Sequence, residues 1–422
     1  MYWQDLNNRT VGIWGMGKEG LAAKTALKQH CPNANIMEIS EDNLANISQC
    51  AVIIKSPGVS LYRSEIAKAK AEGVRFTSSS NLFFANKTPS TKVVAITGTK
   101  GKSTTASLLA HSLQYFGKKV ELAGNIGRSL VELADTSADW VIAEMSSYQC
   151  ADLAYGADIG VLLNLYPEHL QWHQTHARYY ADKLNMIAKA EIKLLNAQDK
   201  RTSELTGELK GEYFNTADTI HLENGCFYDG AHELFAMSKL NLAGEHNCIN
   251  ACAVLSVLKI MGEPLSKYAL PFASFTPLAH RLQNLGKFGG IEFVDDSIST
   301  TPETAAAAVR ALDKGQPLTL IVGGFDRGQD HTSLIDELAG LKERLQLVVV
   351  PDTGARIIPP AEAAGLKTSA AADMHQAVAC AIAATPAGGT VILSPAAPSY
   401  NAYKNFEERG KDFSNCIKSL AK

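Results

Sequence analysis

Apolar residues along this chain gather in short blocks that end in glycine, serine or a charged residue. Val93-Val94-Ala95-Ile96 runs toward Gly98, Trp140-Val-Ile-Ala runs into Glu144, and Ile159-Gly-Val-Leu-Leu runs into Asn164. Short continuous apolar runs bounded by turn residues read as strands buried on both faces of a parallel sheet. Thr10–Trp14, Cys50–Lys55, Ile192–Asn196, Ile291–Asp295, Leu318–Val322, Leu345–Val350 and Thr390–Ser394 read the same way. Helical patterns lie between them, at Leu21–Gln29, from about Thr104, around Lys183, over Asn247–Met261, and in alanine-rich stretches of the last third. Residues 210–240 break the rhythm as short strands and turns. Alternation of strand and helix predicts an α/β fold with doubly wound sheets. At 422 residues the chain exceeds one ordinary core. Breaks at the linker Pro89–Lys92 and the connection Pro271–Leu278 divide it into 1–91, 92–278 and 279–422.

Composition narrows the partners. The formal net charge is −3, with Lys and Arg spread throughout, so no global field favours nucleic acid or an anionic membrane. The 8 cysteines are scattered without a CxxC pair, which argues against a zinc site or a disulfide framework and for a reduced cytosol. No basic leader with an apolar stretch opens the chain, and no apolar run approaches the ~18 residues of a membrane span. A cytoplasmic monomer without membrane insertion is expected.

Chemistry concentrates at Gly98-Thr99-Lys100-Gly101-Lys102-Ser103-Thr104, between a strand and a helix start. Backbone N–H groups around glycines close on phosphate oxygens, a lysine supplies a point charge and a hydroxyl ligates Mg²⁺. Ile96 stands where the first glycine of G-x-x-x-x-G-K-[ST] belongs, so this is a short P-loop variant, and ATP with Mg²⁺ is the expected cofactor pair. A plain Gly-Lys-Ser connection is the bland alternative. Gly15-Met16-Gly17-Lys-Glu-Gly20 resembles a dinucleotide fingerprint, with Glu38 a weak ribose partner, and makes residues 1–91 Rossmann-like; a glycine turn that only packs helix on strand is the alternative. Ser56-Pro57-Gly58 ends a strand where open α/β sheets bind ligands. Glu144 at a strand end suits Mg²⁺, and His169 is a second ligand or base; singly, such residues are also ordinary solvated or structural groups.

Taken together, Gly98–Thr104, Gly124-Asn125-Ile126-Gly127, Glu144-Met-Ser-Ser-Tyr-Gln149, Asn164-Leu-Tyr-Pro-Glu-His169, Gly244-Glu-His-Asn247, His280-Arg281 and Asp296-Ser297 resemble the Mur ligases, in order and over essentially the whole chain. The chain is most similar to the glutamate-adding members. That resemblance implies three domains: an N-terminal Rossmann-like domain for a UDP substrate (1–91), a central P-loop ATPase domain (92–278) and a C-terminal Rossmann-like domain for glutamate (279–422). It replaces the dinucleotide reading of Gly15, Met16, Gly17, Ser56, Pro57 and Gly58 with a UDP pocket. The implied partners are UDP-N-acetylmuramoyl-L-alanine and glutamate. Lys102 would grip the β/γ-phosphates. Ser103 and Glu144 would hold one Mg²⁺, and His169 and Lys183, the latter carbamylated, a second. Asn125 would approach the reacting carboxyl group, Asn247 and Asn250 the adenine, and Arg281 and Asp296 the ATP as the domains close. Thr300, Arg327, Ser399 and Phe406 would surround glutamate. The implied reaction is ATP-dependent ligation through an acyl phosphate, which water would destroy unless the domains close.

One stretch departs from the family. Members that add D-glutamate carry an Asp-Ser-Lys-Ala-Thr-Asn type motif, whereas this chain reads Asp296-Ser-Ile298-Ser-Thr300-Thr-Pro302, and Arg327 replaces another lysine. Arg presents a planar fork where Lys presents a point charge. These changes, with Ala397-Pro-Ser-Tyr-Asn-Ala-Tyr403, resemble the branch that ligates L-glutamate and works beside an epimerase. An ordinary D-glutamate enzyme with a rebuilt pocket is the alternative. A folylpolyglutamate synthase, which lacks residues like 1–91, a non-catalytic nucleotide-binding protein and a dehydrogenase are more distant ones.

Overall fold

The β-rich apolar blocks form parallel sheets in a computed structural model that describes residues 1–166, 168–207, 209–242, 244–276 and 278–420. Pro167 of the Asn164–His169 motif and Pro277 of the expected connection lie outside the described residues. Two units separate: Met1–Asn241 with His246–Phe275, and Leu242–Glu245 with the described part of Thr276–Lys422.

In the first unit, β1 (Thr10–Trp14), β2 (Asn35–Ile39), β3 (Val52–Lys55) and β4 (Arg75–Thr77) form a parallel sheet in the order β2-β1-β3-β4. Helices α1 (Lys18–His30), α2 (Ser64–Ala71) and α3 (Ser79–Asn86) accompany it. Strand order reverses beside β1, which places the turns after β1 and β3 where such sheets bind ligands. A second parallel sheet follows: β5 (Lys92–Thr97), β6 (Val120–Gly124), β7 (Trp140–Glu144), β8 (Ile159–Leu162), β9 (Ile192–Asn196) and β10 (Glu212–Phe214), ordered β10-β9-β8-β5-β7-β6. With β5 between β7 and β8, the loop into α4 (Lys102–Tyr115) leaves from the reversal point of this sheet. Beyond β7 lies α5 (Ser147–Ala151), and between β8 and β9 lie α6 (Leu170–His173) and α7 (His176–Lys189). Phe83 and Phe84 of α3 join Val93, Val141, Leu162, Tyr179 and Met186 in one core, so the two sheets are welded by burial worth roughly 1.5–3 kcal/mol per large side chain. A small antiparallel sheet of β11 (Ile220–Glu223), β12 (Cys226–Asp229) and β13 (His232–Ala236) occupies the irregular segment, followed by the deeply buried helix Glu245–Ile260.

The second unit holds β14 (Gln283–Phe288), β15 (Ile291–Asp295), β16 (Leu318–Gly323), β17 (Leu345–Val350), β18 (Lys367–Ala370) and β19 (Thr390–Leu393), ordered β14-β15-β19-β16-β17-β18. β14 is antiparallel to β15, and the remaining pairs are parallel. Successive residues alternate faces: Leu318, Leu320 and Val322 enter one core and Ile321 the opposite one.

Several elements differ from the sequence expectation. β2, β4, β6, β14 and β18 have no counterpart in it because they are sheet edges, half-polar and only partly buried. α4 starts at Lys102 rather than near Thr104, because Gly101, at φ +84°, is its N-cap. α1 likewise starts at Lys18, taking in the residues read as part of the glycine turn.

Candidate active site

The P-loop is built against the helix Glu245–Ile260. A Cβ on Gly101 would lie 2.3 Å from Asn250 Oδ1, and Asn250 Nδ2 donates to Asn247 Oδ1 at 3.1 Å, so both adenine candidates sit directly behind the loop. Only glycine satisfies both that approach and the left-handed backbone. Thr99 Oγ1 meets Tyr179 Oη at 2.8 Å and accepts from Tyr166 N at 2.9 Å. Lys100 N donates to Asn164 Oδ1 at 2.8 Å, and the Lys100 ammonium pairs with Glu168. Lys102 Nζ donates to the Thr99 carbonyl at 2.9 Å, within the loop it is expected to serve. Gly98, Thr99, Lys100 and Gly101 thus form the turn between β5 and α4, and Lys102, Ser103 and Thr104 make up the first turn of that helix. Lys183 Nζ donates to the Gly98 carbonyl at 2.7 Å from a fully buried position. Burial, then the neighbouring charge of Lys102, lowers its pKa to about 7.

Glu144 is buried at the end of β7. Its Oε1 accepts from Asn125 Nδ2 at 2.8 Å, whereas its Oε2 is enclosed without a hydrogen-bond partner. An orphaned carboxylate oxygen in such a place is costly unless a cation completes it, so the position fits Mg²⁺. Among the described residues no group of three or more His, Cys, Asp and Glu is gathered to hold a metal by itself. Phosphate, hydroxyl or lysine-derived oxygens would have to share the coordination. His169 stands half-exposed at the start of α6, with φ +56°.

Asn125 also lines a cleft of about 450 Å³ with Gly15, Gly17, Ser56, Pro57, Gly58 and Gln149. Ser56 Oγ donates to the Gly15 carbonyl at 2.5 Å, tying the two turns together. A Cβ on Gly20 would sit 2.0 Å from that carbonyl, which explains the third glycine. Met16 packs instead against the core of the first sheet. Glu38 pairs with Lys24 at 2.6 Å. Lys18 and Glu19, absent from the sequence candidates, line the same cleft. Glu19 accepts from Ser129 Oγ at 2.6 Å, and burial raises its pKa. Their position inside the glycine motif was the available signal.

In the second unit the glutamate candidates follow neighbouring strands. Thr300 comes after β15, Arg327 after β16 and Ser399 after β19, while Phe406 opens the helix Phe406–Leu420. Gly323 N donates to the Pro395 carbonyl and Phe325 N to the Pro398 carbonyl, each at 2.8 Å. The Arg327 guanidinium lies 5.5 Å from the centre of the Tyr400 ring. Sequence reading missed Arg409, which is buried and grips both loops: Nε and Nη2 donate to Ser297 Oγ and O at 3.0 and 2.7 Å, and Nη1 donates to the Ala397 carbonyl at 3.0 Å. Burial lowers its pKa to about 10. Asp296 accepts from Ser394 Oγ at 2.7 Å and from Leu282 N at 3.2 Å, beside Arg281, and burial raises its pKa to about 6. A separate cavity of about 590 Å³ is lined by His280 and Asp295 and by none of the four glutamate candidates.

Profiles described as the Mur ligase middle domain and the Mur ligase glutamate ligase domain match residues 96–258 and 280–397. A protein of a Micromonospora species, named UDP-N-acetylmuramoyl-L-alanine–L-glutamate ligase, is 36% identical over 99% of this chain and 98% of its own length. The chain belongs to the Mur ligase family. Among solved structures, the Mur ligase MurC of Thermotoga maritima, a UDP-N-acetylmuramate-alanine ligase, covers 97% of this chain and 99% of its own, with a TM-score of 0.63 and 16% identity. MurF from the same organism, in complex with ADP, covers 99% and 98% at a TM-score of 0.61 and 16% identity. At such identities the structures speak for the Mur ligase fold alone.

Proposed function

We infer that the chain is an ATP-dependent ligase that joins glutamate to UDP-N-acetylmuramoyl-L-alanine in peptidoglycan synthesis. Near-full-length similarity to a relative of that name carries the reading. The meeting of the 450 Å³ cleft with Glu144 through Asn125 supports it. In this reading residues 1–91 hold the UDP moiety, 92–278 the ATP and 279–422 the glutamate. Gly15, Gly17 and Ser56–Gly58 bind the UDP part, and Asn125 directs the acceptor carboxylate toward the nucleotide. Asn247 and Asn250 flank the adenine.

A carboxylate oxygen of the acceptor attacks the γ-phosphorus of ATP, and the bond to the ADP oxygen breaks, leaving an acyl phosphate. The glutamate amine then attacks the acyl carbon. A C–N bond forms, the C–O bond to phosphate breaks, and the amine surrenders a proton. Lys102 offers a point charge to the phosphate oxygens as charge spreads. Mg²⁺, held by Ser103 and Glu144 and at a second place by His169 and Lys183, would neutralise the transferring phosphoryl group. A lysine with a pKa near 7 has a neutral fraction able to take up CO₂ as a carbamate, which supports the carbamylated form of Lys183.

L-Glutamate is the favoured substrate. Ile298 takes a place where D-glutamate enzymes have a cation, and Pro302 fits without distortion as the first residue of the helix Pro302–Leu312, whose Thr301 cap accepts from Thr304 N. Phosphate release measured with each enantiomer decides the point: higher kcat/KM for L-glutamate is expected, and a preference for D-glutamate would reverse the assignment. Among the described residues no helix is long and apolar enough to cross a membrane. We place the enzyme in the cytoplasm as a monomer, a state that sedimentation at working concentration tests.

A further inference from the structure

The loop after β3 reaches past the cleft. Ser56, Pro57, Gly58 and Val59 line the cleft wall. The Pro57 carbonyl accepts the indole N–H of Trp172 at 3.0 Å, Ser60 Oγ donates to the Trp172 carbonyl at 2.7 Å, and Tyr62 Oη donates to Asp182 Oδ1 at 2.7 Å. Both receiving helices carry candidate cation ligands. Trp172 lies in α6, whose start is fixed by Trp172 N and His173 N donating to the His169 carbonyl at 3.0 and 3.1 Å. Asp182 directly precedes Lys183 in α7. A cross-brace joins the two: His173 Nδ1 meets Asp182 Oδ2 at 2.5 Å, and His173 Nε2 meets Ser147 Oγ at 3.0 Å, at the head of the helix that follows Glu144.

We propose that the loop Ser56–Tyr62 is a positioning element through which acceptor binding sets the cation ligands His169 and Lys183. The proposal rests on the functional reading above. Trp172, His173, Asp182 and Lys183 are all buried. The loop end of this chain is partly exposed, but inward from Trp172 and Asp182 the bonds are close-packed and buried, where a displacement is transmitted or breaks a bond rather than being absorbed by water. The Trp172 ring also stacks on Tyr148, with centroids 4.7 Å apart and planes at 26°, so α6 moves with the segment after Glu144. His169 holds a left-handed backbone, which a residue with a Cβ keeps only when its surroundings over-determine it. The bonds from Trp172 and His173 supply that constraint. Ligation gains from such a device, because cation and acceptor then tighten one another by the same factor and ATP is not committed in the absence of acceptor.

Mn²⁺ binding to the full chain, followed by electron paramagnetic resonance with and without saturating UDP-N-acetylmuramoyl-L-alanine, tests the proposal. Acceptor binding is measured separately by calorimetry. The wild type is expected to gain about fivefold or more in Mn²⁺ affinity when the acceptor is bound. Ser60→Ala and Tyr62→Phe each remove one hydroxyl with little change in packing, and Trp172→Phe removes the indole N–H. In these variants the gain is expected to shrink below about twofold while metal-free acceptor binding persists. An undiminished gain in the Ser60→Ala/Tyr62→Phe double variant would overturn the coupling. So would a wild type that binds the acceptor with no gain, leaving the functional reading intact. A wild type that does not bind the acceptor would overturn that reading and the coupling together.

Discussion

Individual side chains already carry opposing demands of stability and chemistry. Asp296 is ionised at neutral pH in a buried place that lifts its pKa to about 6. Its folded pKa exceeds the unfolded value, so the folded state holds its proton more tightly, and stability is lost as pH rises from about 4 through 6. Asp296→Asn is therefore expected to raise thermal stability at pH 8 by an amount that vanishes toward pH 4. About 3 kcal/mol is the upper end, from a shift of about two units at about 1.4 kcal/mol each. A stability gain independent of pH would contradict this origin. Lys102→Ala, in contrast, removes the charge that the proposed mechanism assigns to the phosphates. A fall of about 10²–10³-fold in kcat with unchanged melting is expected from steady-state rates and thermal scans, and near-normal turnover would remove Lys102 from the mechanism. These residues were legible in the sequence because a glycine-lysine-serine turn and a charged strand end advertise themselves locally. Arg409 was not, since its role comes from two carbonyls and a hydroxyl distant in the chain.

At the level of elements, many of the candidates in each unit stand at strand ends. The turns after β1, β3, β5 and β6, the end of β7, and the loops after β15, β16 and β19 carry most of the candidates, while Lys183, Asn247, Asn250 and Phe406 lie on helices. Apolar blocks foretold the central strands because both faces are buried, and missed the edges, where partial exposure erases the pattern. Arg409 is the element-scale test. It splints the loops after β15 and β19, and a lysine in its place keeps the charge but cannot span three acceptors. Arg409→Lys is expected to raise KM for glutamate about tenfold and leave KM for UDP-N-acetylmuramoyl-L-alanine unchanged. An equal rise in both would mark a general loss of folding instead.

For the whole molecule, the sequence order of motifs suggested a ligase, but spatial assembly had to come from the fold. Asn125 follows β6, Glu144 ends the neighbouring β7, and the two meet at 2.8 Å, while Gly101 abuts Asn250 from a remote helix. No periodicity encodes those meetings; sheet order does. What the assembled chain is held to do is activate a carboxylate with ATP and pass it to glutamate. The most direct measurement supplies ATP, Mg²⁺, L-glutamate and UDP-N-acetylmuramoyl-L-alanine carrying ¹⁸O in both carboxylate oxygens, then weighs the products. Attack on phosphorus followed by amide formation predicts the glutamyl product together with inorganic phosphate bearing one ¹⁸O. Phosphate without label, or ATP turnover with no glutamyl product, would contradict it.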